Sequence, residues 1–171
     1  MNTTNKFKNT ISTLIMIVLS FLIIHLLHNI SKGIVGLMCG GQLQFSHGIS
    51  VVNANYGNFS YVLNLIVGIS IPVLFLFALV LIFNNSLRNG LYHKFTLIFF
   101  ICSVLSISIY LIFYPFISLF TDLGLHTELD ELIELTGISP LIILLIALLI
   151  VALLVKLASR KNLFKHMQNS K

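Results

Sequence analysis

Charge is what this 171-residue chain has least of: Asp, Glu, Lys and Arg together make up 9% of it. A soluble domain carries roughly 25% charged residues, so that class is excluded. Disorder is excluded as well, because disordered chains are poor in apolar residues, and here 57% are hydrophobic. There are only two cysteines, Cys39 and Cys102, both in apolar surroundings. They form no CxxC pair and no disulfide framework. Also missing are a phosphate-cradling glycine loop, a Ser/His/Asp arrangement and a long internal repeat. The net charge of +5 is not a nucleic-acid signal, since the basic residues sit at the edges of apolar runs and form no single patch.

What is present is hydrocarbon, with a mean hydropathy of +1.02. Stretches free of Asp, Glu, Lys and Arg cover residues 9–31, 33–87, 95–121 and 135–155. A bilayer core about 30 Å thick needs roughly 20 apolar residues in a helix. These runs predict four spans, near residues 10–30, 60–83, 95–119 and 140–157. The first part of the second run, residues 40–58, is rich in Gly, Gln, Ser and Asn and is not a span. The fold class predicted is an all-α membrane protein, one domain over residues 1–171. An acidic loop is expected at residues 121–137 and a basic tail at 158–171. The first span follows Lys6 and Lys8, but no A-x-A-like site follows its apolar core. An uncleaved anchor is therefore expected.

In a four-span arrangement Lys6, Lys8, Arg88, Lys94, Lys156, Arg160, Lys161, Lys165 and Lys171 share one side. All five acids, Asp122, Glu128, Asp130, Glu131 and Glu134, share the other. The positive-inside rule makes the first side cytoplasmic, with both termini in. Lys32 is the one basic residue on the far side. The abundance of Ile, Asn, Phe and Lys resembles chains from low-GC bacterial genomes, so a bacterial cell membrane is the expected location.

His25, His28, Asn29 and Lys32 are three or four residues apart and so form one polar stripe on the first helix. Polar groups inside a span usually face protein or water and mark function. From His28 the chain reads HNISKGIVGLMCGG. This resembles the HELGHALAALLxGG stretch of the intramembrane zinc metalloproteases, the site-2 protease family. His28 falls on the first His of HExxH, Asn29 on the Glu, Lys32 on the second His, and Gly40 and Gly41 on the closing glycines. Residues 42–45 and 49–53 read as short strands around Ser46, His47 and Gly48, like the β-hairpin that follows this helix in the family. The phrase from Gly68 to Pro72 resembles the family's Gly/Pro-containing next span. The phrase Leu135-Thr136-Gly137-Ile138-Ser139-Pro140 resembles an LTGIP-like segment of some bacterial members.

The resemblance implies a zinc site, but the residues depart from it where the chemistry is done. HExxH binds zinc through two imidazoles and uses the Glu as base. Asn29 cannot take a proton, and a charged Lys32 repels a metal ion. A non-catalytic relative that binds a membrane protein or peptide is therefore expected, with no cofactor; an edge strand at residues 42–45 offers a docking mode. Two alternatives stand beside it. One is an active membrane metallopeptidase with zinc on His25 and His28 and a third ligand from Asp122, Asp130, His47 or His126. The other is a small bacterial membrane accessory or self-immunity protein. Membrane lipid is a partner in every case, and nucleic acid in none.

Three further features are expected to matter. Pro72 leaves a helical carbonyl without its partner, to be satisfied by Ser70 or a neighbouring helix. Gly36 and Gly40 either permit close helix contact or end the first helix. The acidic loop reads as an amphipathic helix with Glu128, Glu131 and Glu134 toward water and Leu129, Leu132 and Ile133 toward the membrane. One acid, Asp122 or Asp130, is expected to turn inward and pair with Lys32 in place of the metal.

Overall fold

The structure is a computed structural model that describes residues 3–46, 49–54, 56–83, 90–118 and 127–164. Its elements run α1 (Thr3–Met38), β1 (Gln42–Ser46), β2 (Ile49–Asn53), α2 (Asn58–Ile82), α3 (Gly90–Ile107), a π-helical segment (Ser108–Phe113), α4 (Tyr114–Ser118), α5 (Glu128–Thr136) and α6 (Pro140–Arg160). Four helices are long and apolar enough to cross a membrane: Asn9–Met38, Asn58–Ile82, Gly90–Ile117 and Pro140–Arg160. The chain is a helical membrane protein, as its composition demanded.

Each span ends or bends for an identifiable reason. α1 runs on past residue 30, where the hydropathy pattern had placed its end, and stops at Met38. There Gly40 takes φ +80°, and the Gly41 and Gly40 amides return to the carbonyls of Gly36 and Leu37 at 2.9 and 3.0 Å. This is a Schellman closure, so Gly40 serves as the helix stop. The chain then turns into the hairpin, whose antiparallel register pairs Gln42 with Asn53 and Ser46 with Ile49. The third span changes from α to π over Ser108–Phe113, immediately before Pro115. Pro115 has no N–H and its ring crowds the carbonyl one turn back, so widening the helix there relieves both problems. Pro140 stands at the first turn of α6, where its missing N–H costs nothing, and the Ser139 side chain caps that helix.

The core lies where α2, α3 and α6 meet. Leu65, Leu76, Val80, Phe99 and Leu154 are almost fully buried there. Leu14 and Leu149, by contrast, are 61% and 62% exposed, and much of α1 and α6 behaves the same way. Such surface is unfavourable in water and neutral in lipid, so these faces are lipid-covered. α5 is too short to span. It lies against α2 with Leu129 and Leu132 buried, while Leu135 stays exposed.

Candidate functional site

The polar stripe of α1 meets α2 and the start of α5 in one place. Pro72 cannot donate to the Gly68 carbonyl, which would otherwise close a helical turn. His28 of α1 supplies the missing donor: its Nδ1 lies 2.9 Å from Gly68 O. The neighbouring helix, not Ser70, satisfies the group. Because a carbonyl only accepts, this contact fixes the proton on Nδ1 and leaves Nε2 to the other side of the ring.

That other side faces α5. His28 Nε2 is 3.2 Å from Glu128 Oε2, and Lys32 Nζ is 2.5 Å from Glu128 Oε1. Oε2 has no well-directed hydrogen bond, so its contact with the imidazole is close but off-axis. His28 first and then Lys32 hold the Glu128 carboxyl down at about 2, against the opposing effect of partial burial.

The second helix is shaped to admit this cluster. A Cβ on Gly68 would lie 2.8 Å from Lys32 Cγ and 3.1 Å from His28 Cε1. Only glycine lets the two side chains pass over α2 this closely. Asn64, one turn earlier and 2% exposed, donates from Nδ2 to the Lys32 carbonyl at 2.8 Å and to the Tyr56 hydroxyl at 3.2 Å. His25 and Asn29 lie on the exposed side of the stripe and bond each other, Asn29 Nδ2 to His25 Nε2 at 2.9 Å.

α5 is held by its acids. Thr127 and Asp130 form a reciprocal capping box at its first turn, and Asp130 Oδ2 also accepts from the Tyr114 hydroxyl at 2.6 Å. The Tyr61 hydroxyl of α2 donates to Glu131. An acid does turn inward onto Lys32, as expected, but it is Glu128 and not Asp130. The amphipathic pattern of the loop puts Glu128 on the water side, but its carboxylate reaches across to α1 instead. Asp130 is occupied at the helix N-terminus, and Asp122 lies outside the described residues, as do His47 and His126. The signal available in the sequence was Thr127-Glu128-Leu129-Asp130 itself. This is a capping-box spacing that commits Asp130 to its own helix and leaves Glu128 free to reach across.

Among the described residues no three His, Cys, Asp or Glu side chains gather as a metal would require. Lys32, which the sequence resemblance aligns with the second imidazole, is an ammonium already paired with a carboxylate, and Asn29, aligned with the base, is an amide bonded to His25. What the geometry provides is a fixed Lys–Glu–His cluster that ties α1 to α5 over a glycine of α2. Searches against protein-family models, curated proteins and solved structures returned no match for this chain.

Proposed function

We propose that the protein is a non-catalytic relative of the intramembrane metalloproteases that binds a membrane protein or peptide. The reading rests on the sequence resemblance together with one observation, the contact of Lys32 Nζ with Glu128 Oε1 at 2.5 Å. A lysine stands at the position of a metal ligand, and its cation bridges the metal helix to a later carboxylate. In an active relative that crosslink is made by zinc; here side chains make it, without a base or an activated water. The hairpin retains its place directly after the helix, with antiparallel strands Gln42–Ser46 and Ile49–Asn53. An outer strand edge can add a partner strand through main-chain hydrogen bonds. The charge distribution orients the molecule with both termini in the cytoplasm of a bacterial cell and the cluster toward the outside.

The test uses the full chain in phospholipid vesicles with fluorescent membrane-spanning peptides. Saturable binding without cleavage is expected, weakened by Leu43→Pro or Gln44→Pro, since amides alternate in direction along a strand. Chelator-sensitive cleavage, lost on His28→Ala, would overturn the proposal.

A further inference from the structure

A cleft of about 710 Å³ opens between α1, α2 and the π-helical part of the third span. Its walls are apolar, with Ile24, Val73 and Ile109 among them, and at one end they give way to His25, Asn29, His28 and Glu128. Phe21 and Ile109 line it and are themselves 47% and 63% exposed, so it opens sideways toward the bilayer. It cannot enclose a membrane-spanning helix. A helix about 10 Å across occupies roughly 80 Å² of cross-section, so the cleft equals about 9 Å of helix, roughly six residues. Flexible hydrocarbon tails, thinner than a helix, can fill it.

The polar end sets the chemistry of the head. In the pair of Asn29 Nδ2 with His25 Nε2 the amide donates, so neutral His25 carries its proton on Nδ1, and Asn29 keeps a second amide N–H. Both residues are exposed, and both line the cleft. Within a span, donors left without acceptors are unfavourable. Their depth says which acceptors are at hand. The span begins at Asn9, and at about 1.5 Å per residue His25 and Asn29 lie about 24 and 30 Å along it. One turn farther along, Lys32 and Glu128 carry full charge, which marks the far edge of a hydrocarbon core about 30 Å thick. Ester carbonyls of glycerophospholipids lie at this boundary, and they accept hydrogen bonds without donating any.

We infer that the cleft is a binding site for one ester-linked phospholipid of the outer leaflet, tails against Ile24, Val73 and Ile109, ester carbonyls on the N–H groups of His25 and Asn29. The inference requires the four-span helical fold and, for the choice of leaflet, the charge-based orientation; it is independent of the protease resemblance.

The experiment reconstitutes the full chain in vesicles of phosphatidylethanolamine and phosphatidylglycerol containing a trace of phosphatidylglycerol with a diazirine in its tail. Irradiation should place adducts on Ile24, Val73 and Ile109 in preference to Leu145 and Leu149, which are exposed on α6. Unlabelled diester lipid should displace the probe, and a diether analogue should compete about 25-fold less well, the weight of two hydrogen bonds at about 1 kcal/mol each. In the His25→Leu, Asn29→Leu double variant the two competitors should become equal. Ile109→Trp, at an exposed position that leaves the fold intact, should reduce cleft labelling while α6 labelling stays constant. Adducts spread evenly over α1 and α6, equal competition by ester and ether lipids in the unmodified protein, or cleft residues crosslinked to another polypeptide would each overturn the inference.

Discussion

Gly68 is the residue on which the cluster turns. Its missing side chain makes room for Lys32 and His28, and its carbonyl receives the His28 proton. Gly68→Ala would bring a methyl within 2.8 Å of the Lys32 stem. Cγ is close to the backbone and cannot simply swing aside. A loss of about 1–3 kcal/mol is expected, as for other overpacked sites, read from thermal unfolding in detergent. The ion pair itself is a quarter to a third exposed on its two sides. Screening lowers the expected effect of Lys32→Leu or Glu128→Leu to about 1–2 kcal/mol. The double variant should cost less than the sum of the two, and the swap Lys32→Glu with Glu128→Lys should recover part of the loss. Acid should act through the same residue. The Glu128 carboxyl lies at about 2 in the folded chain, below its ordinary 4.5. The stabilisation is therefore complete above about 4.5 and is lost as pH falls toward 2, because the unfolded chain takes up the proton first. Glu128→Gln should flatten that acid limb of the unfolding curve while leaving stability at neutral pH lower and constant.

At the scale of elements, α1 and α2 are joined by a defect in one helix and a donor on the other. Pro72 opens the Gly68 carbonyl and His28 fills it. The two positions should therefore be coupled. His28→Ala alone leaves a buried carbonyl unsatisfied and should cost about 1–3 kcal/mol. In a Pro72→Ala background the new amide serves that carbonyl, and the same His28→Ala should cost much less. Additive losses in this cycle would remove the link between the two helices. The spans were legible in the sequence because hydrocarbon length fixes them: three of the four helices begin and end within about five residues of the predicted spans. The end of α1 was not, since polar residues at 28–32 masked the continuation to Met38. The π-helical segment was also missed, although Pro115 is the local reason for it. Within the site, the stripe His25, His28, Asn29 and Lys32 followed from helical periodicity alone. The choice of acid did not, because spacing along a loop does not say which carboxylate a cap will claim.

At the scale of the whole molecule, α5 is a short acidic brace laid across the ends of the spans. It is fixed through Lys32 and His28 on α1, Tyr61 on α2 and Tyr114 on α4. Three carboxylates, those of Glu128, Glu131 and Asp130, thus reach three different helices, so acids that look like a solvated loop in sequence act together as a tie. In the proposed orientation, with both termini cytoplasmic, the brace lies outside the cell. Ser46→Cys and Glu134→Cys should react with an impermeant maleimide from outside, and Ser170→Cys only after the membrane is opened. Labelling of Glu134→Cys from the cytoplasmic side alone would reverse the orientation. The central claim of the proposed reading is that side-chain charges make the crosslink that a metal makes in intramembrane metalloproteases. Metal content of the purified full-length protein tests it most directly. The account predicts zinc well below one per chain, with stability unchanged by a chelator; one tightly bound zinc per chain, lost on His25→Ala and on His28→Ala, would contradict it.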